Sequence, residues 1–277
     1  MKRVWMRWQN FKNKAVTFSY DDGTLTDKRL AEIFDRFGLK CTFNVNSRHF
    51  TNATDSNYLT LEEAKTVYRN HEIAVHGVRH VSLTEVDKGM ATYDVIADRA
   101  DLERVFSRVV KGMAYANGEY SDDIVQILRD CGISYARTTV ATESFDVPDD
   151  WLRMPATCHH NHPRLMEFAK TFVESPEPEY CWGKKPRLFY VWGHSSEFEN
   201  AKNWDLIESL AAYLGNRDDV WYATNGEIYA YVQAFDRLEF SAEGTRVHNP
   251  SAIDVYIYNV FKNKQYVVPA GQTVEMC

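Results

Sequence analysis

Apolar residues recur along this chain in two rhythms. Short runs rich in Val, Ile, Phe, Tyr and Thr occupy residues 15–20, 41–46, 72–76, 112–115, 134–139 and 188–192, with a less regular one near 220–224. Their length and composition read as β-strands. Between them the spacing turns helical. Leu30, Ile33, Phe34 and Phe37 line one face of residues 26–37, behind an Asp-Gly-Thr turn that suits a helix start. Further helices are expected over 61–69, 90–110, 121–131, 163–174 and 204–214. Strand and helix in alternation is the pattern of βαβ units around a parallel sheet, which predicts an α/β barrel; an open doubly wound sheet satisfies the same pattern. From about residue 236 the rhythm changes to short alternating segments at 238–241, 252–258 and 265–268, separated by Gly, Asn and Pro. The expected organisation is therefore a main α/β unit over 1–235 and a small β-rich C-terminal appendage over 236–277.

Composition narrows the function. Hydrophobic residues at 44% and aromatics at 14% are ample for a packed core. With 32 Lys+Arg against 39 Asp+Glu, the net charge of −7 offers no basic field, so nucleic acid is not an expected partner. Residues 1–16 lack the apolar core of a signal peptide, and no apolar run approaches the roughly 20 residues of a membrane span. A soluble, cytoplasmic protein with no membrane partner is the expectation. The five cysteines, Cys41, Cys131, Cys158, Cys181 and Cys277, form an odd set without a C-x-x-C pair and read as reduced, mostly buried thiols.

The chemistry collects where strands end. The first run leads into Asp21-Asp22-Gly23, the third into His76-Gly77-Val78-Arg79-His80, and the late run 188–192 into Gly193-His194. Each alone has an ordinary reading: an Asp-Gly turn capping a helix, a surface pair of histidines, a rim histidine. Two imidazoles four residues apart share a face if they lie on a helical turn, and both can then reach one ion at about 2.0–2.1 Å. The recurrence of Asp and His past three strands is what points to catalysis, because α/β barrels place their active sites at the strands' C-terminal ends.

At these residues the chain resembles the NodB-homology polysaccharide deacetylases of carbohydrate esterase family four. Thr17-Phe18-Ser19-Tyr20-Asp21-Asp22-Gly23 is a longer form of the family's T-F-D-D-G. His76-Gly77-Val78-Arg79-His80 matches H-[ST]-x-x-H with Gly in the hydroxyl slot, and residues 191–194 match the late leucine-x-histidine motif with Trp192-Gly193 as the intervening pair. The match in order and spacing runs from about Lys14 to Phe235.

The resemblance implies a distorted parallel (β/α) barrel binding one divalent ion, Zn2+ by default with Co2+ or another divalent ion as substitutes, through Asp22, His76 and His80. It implies Asp21 as general base, His194 as the acid that protonates the departing amine, and a backbone N–H near Asn117 as oxyanion donor. The implied substrate is an acetylated carbohydrate, with N-acetyl or O-acetyl groups removed. A C–N hydrolase acting on a small non-sugar amide and a non-catalytic sugar-binding relative are the alternatives.

Two departures stand out. The family's R-x-P-Y-G loop reads Ala114-Tyr115-Ala116-Asn117-Gly118, so the arginine that orients the base is missing, and Asp146-Val147-Pro148-Asp149-Asp150-Trp151 is an imperfect D-x-x-D-W. Arg137, which follows Ser134-Tyr135-Ala136 one strand along from Ala114, is the candidate replacement. Cys158-His159-His160-Asn161-His162-Pro163 is too crowded to face one ion and is expected to be a polar loop entering a Pro-started helix. A second reading has His159 or His160 lining a sugar cleft. Trp151, Trp192 and Tyr20 are candidate stacking surfaces for a pyranose.

Overall fold

The computed structural model describes residues 4–51, 57–179 and 184–276. Strand β1 (Val4–Arg7) precedes a run of parallel strands: β2 (Lys14–Asp22), β3 (Cys41–Val45), β4 (Glu72–Val75), β5 (Gly112–Ala114), β6 (Tyr135–Ala141), β7 (Met154–Ala156), β8 (Cys158–His159), β9 (Arg187–His194) and β10 (Val220–Tyr222). They hydrogen-bond in the order β7-β6-β5-β4-β3-β2-β9-β8, with β10 beside the start of β2. Strands β7 and β8 stand at the two ends of that order, yet only Thr157 separates them in the chain. Thr157 N donates to Tyr190 O of β9 at 2.8 Å, while Thr157 O accepts from Glu143 N, just past β6, at 3.0 Å. Residues 154–159 are thereby bonded to both edges and close the sheet into a barrel. The β6–β7 register shifts between Arg137 and Ala141, which distorts the ring there.

Alternation along each strand divides the core in two. Val16, Phe18 and Tyr20 of β2 and Cys41, Phe43 and Val45 of β3 face outward into a layer shared with the helices, where Phe18 meets Phe34 at 4.6 Å between ring centroids. That layer accepts the predicted helices, observed as Asp27–Arg36, Leu61–Val67, Lys88–Phe106, Asp122–Asp130, Leu165–Glu174 and Trp204–Leu214. Tyr20 is therefore wholly buried among Phe34, His160 and Phe198 and offers no surface to a sugar.

The inward set is part apolar and part polar. Ala15, Leu188, Tyr190 and Met154 fill it near the floor, and Thr17 and Ser19 rise from there toward Asp21. Helix Asn225–Asp236, which the sequence pattern leaves unassigned, plugs the floor with its own N-terminus. Asn225 accepts from Thr17 Oγ1 at 3.0 Å, donates to Tyr190 OH at 2.6 Å, and its N–H reaches Thr42 Oγ1 at 2.9 Å. Buried polar groups at the floor thus bond one another across strands.

Strand pairing also crosses the boundary drawn at residue 235. β1 joins β13 (Val255–Asn259) and β14 (Lys264–Val268) in one antiparallel sheet, while β11 (Glu239–Phe240), β12 (Arg246–His248) and β15 (Thr273–Glu275) form another. Trp8, next in sequence to β1, is wholly buried against Trp221 and Tyr231 and donates to Arg187 O at 3.0 Å. Cys41, Cys131 and Cys158 are buried free thiols, and Cys181 and Cys277 lie outside the described residues. No helix among the described residues is long and apolar enough to cross a membrane.

Trp8 therefore ties the barrel floor to the first strand. Trp8→Ala is expected to destabilise the protein by about 3–5 kcal/mol, and Trp8→Phe by distinctly less, read as urea midpoints at an unchanged denaturant slope. A midpoint for Trp8→Ala within about 1 kcal/mol of the parent protein would contradict this packing.

Candidate active site

Strands β2, β4 and β9 end on one rim and deliver Asp21, Asp22, His76 and His194 there, with His80 on the loop after β4. Asp22 Oδ1 lies 3.5 Å from His76 Nε2 and 3.4 Å from His80 Nε2. A tetrahedral ion with bonds of about 2.0–2.1 Å keeps its ligand atoms roughly 3.3 Å apart, so these three atoms already stand at ligand spacing. His76 is buried, and its Nδ1–H donates to Ala114 O at 2.9 Å, which leaves Nε2 a bare lone pair with no hydrogen-bond partner. An unsatisfied buried acceptor costs about 1–3 kcal/mol. A divalent cation is the group that fits it. Burial works to raise the Asp22 pKa, but the His76 imidazole beside it, with His194 and His80 close by, brings it down to about 2.

The two imidazoles do not meet on a helical turn, as their spacing suggests. Residues 76–80 form an irregular loop, with Gly77 at φ 84° and His80 at φ 54°. Gly in the hydroxyl slot has a steric reason beyond its φ: a Cβ on Gly77 would sit 2.4 Å from Asp94 Oδ2. Asp94 and Asp98, one turn apart and buried on helix Lys88–Phe106, hold this loop. Asp98 accepts from the N–H groups of Ser47 at 2.7 Å and of His76 and Gly77 at 3.0 Å each, while Asp94 accepts from Arg79 Nε at 2.9 Å. Asn46 Nδ2 donates to the His76 and Gly77 carbonyls at 3.0 and 2.6 Å.

Asp21 faces the barrel interior beside this group. Its Oδ1 accepts from Asn44 Nδ2 at 2.8 Å, and its Oδ2 is paired with Arg137 Nη2, both side chains being buried. Arg137 stands in register with Ala114 across β5 and β6, and its guanidinium lies 4.3 Å over the Trp192 ring. The cation missing from the loop after β5 thus reaches the carboxylate from the neighbouring strand. His194 Nε2 sits 3.9 Å from Asp21 Oδ2, and its Nδ1–H donates to Glu197 Oε1 at 2.9 Å. Burial alone would lower the His194 pKa; the bond to Glu197 and the charges of Asp21 and Asp22 outweigh it and raise the value to about 9. This imidazole holds its proton at neutral pH.

The remaining sequence candidates fall differently. Asn117 has φ 58° and donates its side-chain amide to Ser82 Oγ at 3.0 Å, three residues past the Ala114 carbonyl that orients His76. Trp192 is nearly buried between Arg137 and His159 and presents no free stacking face, while Trp151 is half-buried and packs edge-on against Tyr229 at 5.2 Å. The histidine-rich segment is not a polar loop entering a Pro-started helix. Cys158–His159 is strand β8, His160 is wholly buried behind the rim, and the helix begins at Leu165. Residues that sequence reasoning passed over include Asn44 and Asn46, legible only as polar positions alternating through an apolar strand, along with Asp94, Asp98 and Glu197.

Residues 9–136 match the family model described as polysaccharide deacetylase. No curated protein matches the chain. Among solved structures, a Mycobacterium smegmatis protein assigned as a polysaccharide deacetylase aligns with a TM-score of 0.61 at 18% identity, covering 84% of this chain and 94% of that one. A carbohydrate esterase family four pseudoenzyme from Bacillus anthracis aligns at 0.51 and 18%, covering 81% and 68%. The Streptococcus pyogenes deacetylase PplD, solved with acetate, aligns at 0.46 and 20% over 50% of this chain, which spans 61% of that protein's length. The first two likenesses show the fold.

The spacing of Asp22, His76 and His80 leads to an expectation about the metal. The purified chain should bind about one zinc ion, His80→Ala should lose it, and Asp98→Asn should weaken it by about 10–100-fold, because the loop that aims His76 is then held less firmly. Calorimetric titration with zinc checks all three. Equal affinity in the parent chain and His80→Ala would exclude His80 as a ligand.

Proposed function

We propose that this chain, whose residues 9–136 match the polysaccharide deacetylase family model, is a metal-dependent hydrolase that removes N-acetyl or O-acetyl groups from a polysaccharide or oligosaccharide. The observation that carries the reading is one arrangement on one rim. A carboxylate held by a buried guanidinium stands beside a triad with a bare imidazole nitrogen, and a protonated imidazole lies on its other side. Acyl transfer to water needs a base, an acid and an electrophile within reach of one carbonyl, and these residues would supply the first two and hold the third.

A divalent ion held by Asp22, His76 and His80 would supply Lewis-acid polarisation of the acyl oxygen and acidify the attacking water. The other roles belong to the chain. Asp21 takes the water's proton on a carboxylate that Arg137 and Asn44 hold in place. His194 then gives its Nε2 proton to the departing amine or alcohol oxygen. The intact set of base, acid and ligands speaks against a purely sugar-binding role.

Acetate release from N-acetylglucosamine oligomers, acetylated xylan and small amides, with zinc supplied, tests the proposal. Release from a sugar substrate supports it, release from small amides alone favours the alternative hydrolase, and release from none would contradict it.

Three variants follow from the division of labour. Asp21→Asn should keep zinc and lose most turnover, since the amide preserves shape but accepts no proton. Asp22→Asn should lose zinc as well, and equal metal contents in the two would break the assignment. Arg137→Lys should lower kcat by about 10–100-fold with zinc content unchanged, because an ammonium does not reproduce the planar fork.

The pH dependence has a definite sign. The acid form of His194 persists up to its raised pKa of about 9, so kcat should hold through neutral pH and fall as pH rises through about 9. An alkaline limb centred near 6.5, the ordinary histidine value, would exclude His194 as this acid.

A further inference from the structure

His159, His194 and Glu197 place ligand atoms within 4.8 Å of one another, which by spacing alone could be a second cation site. Tautomers decide otherwise. His159 Nδ1 accepts from Asn161 N at 3.1 Å, so its proton sits on Nε2, which points at Glu197 Oε2 from 3.4 Å. Asn161 Nδ2 donates to the same oxygen at 2.7 Å, and His160 Nε2 lies 2.9 Å from it. His194 Nδ1–H takes the other oxygen at 2.9 Å. Asn161 and His194 hydrogen-bond this carboxylate, with His160 Nε2 beside it, whereas the inward nitrogen of His76 has no hydrogen-bond partner.

We propose that Glu197 is the positioning residue for His194, a carboxylate fixed by His159, His160 and Asn161 that orients the imidazole and keeps its outer nitrogen protonated toward the substrate. The proposal rests on the deacetylase reading above, and it gives the histidine-rich segment its purpose. His160 is wedged between Tyr20, stacked at 5.6 Å, and Phe198 at 4.1 Å, so the nitrogen 2.9 Å from Glu197 cannot swing away. Gly193 makes room for it: a Cβ there would fall 1.9 Å from His160 Nδ1. The imperfect D-x-x-D-W loop is occupied elsewhere, with Asp146 accepting from Ser144 Oγ at 2.9 Å and Asp150 paired with Arg153 at 2.7 Å. Among the described residues, His194 forms ion pairs with Asp21 from β2 and with Glu197 from its own helix. Asp22 adds charge from the rim, and His159 faces it across 6.3 Å from β8. The Glu197 carboxyl is itself held well below the usual carboxylate range: burial opposes this, and the bonds to His160 and His194 overcome it.

The test is an NMR titration of ring-labelled histidines in the zinc-supplied protein, run beside the pH profile of acetate release, for the parent chain, Glu197→Gln and Glu197→Asp. Gln keeps a polar group of the same size without the charge. It should move the His194 midpoint and the alkaline limb of kcat down together by about one pH unit or more, and cut kcat at neutral pH by about 10–100-fold with KM and zinc content unchanged. Asp should keep the midpoint near the parent value while lowering kcat, and it decides the question if Gln does not fold. An unmoved midpoint in Gln, or one that falls in Asp, overturns the proposal. A second zinc equivalent that binds the parent chain and not Glu197→Gln also overturns it, in favour of a metal site. Absence of turnover in the parent chain sinks the deacetylase reading, while the midpoint still decides the role of Glu197.

Discussion

A buried ion pair between Asp21 and Arg137 is the constraint around which this molecule is organised. Removing two charges from water costs several kcal/mol per ion, and the pair persists only if both groups find further partners. Asp21 finds Asn44 as well as Arg137, and Arg137 finds the Trp192 face and the Thr138 carbonyl. Each of those contacts requires a particular strand register. β2 must turn Asp21 inward, β3 must turn Asn44 inward beside it, and β6 must set Arg137 level with Ala114. The barrel must also be closed, since the pair could not stay dry beside an open edge, and the segment around Thr157 closes it. Catalytic geometry and barrel stability are for this reason the same set of contacts.

The charge balance on the rim supports the proposed cation. Asp21, Asp22 and Glu197 are carboxylates, and the chain itself answers them with Arg137 and a protonated His194. One negative charge is left over beside the Asp22, His76 and His80 group. The spare acceptor, the spare charge and the ligand spacing coincide at one place, while at Glu197 the donors and the charge cancel without help. On the proposed reading, two clusters of similar shape serve opposite ends, one to hold an ion and one to hold a proton.

Much of this was legible in the sequence, and the reasons the rest was not are physical. Strand ends rich in Asp and His declare themselves because a barrel gathers such ends on one face. Arg137 was traceable for the same reason, as the cation one strand along from the gap at Ala114. Barrel closure by residues 154–159 left no local sign, since Met-Pro-Ala-Thr-Cys-His is too short for a periodic signal and contains proline. The role of Gly77 became visible only with Asp94 packed against it, and the burial of His160 only with Tyr20 and Phe198 on either side. Glu197 lies three residues from His194, a spacing that any surface helix can show by chance. Tertiary contact, and not local pattern, gave these residues their work.

The most direct test of the central claim, that this fold prepares one cation site beside a guanidinium-held base, is anomalous diffraction from crystals of the chain soaked in zinc. A single strong peak is expected about 2.0–2.1 Å from Asp22 Oδ1, His76 Nε2 and His80 Nε2, with Arg137 still on Asp21. A principal peak among His159, His194 and Glu197, or no peak at the Asp22 group under zinc excess, would contradict it.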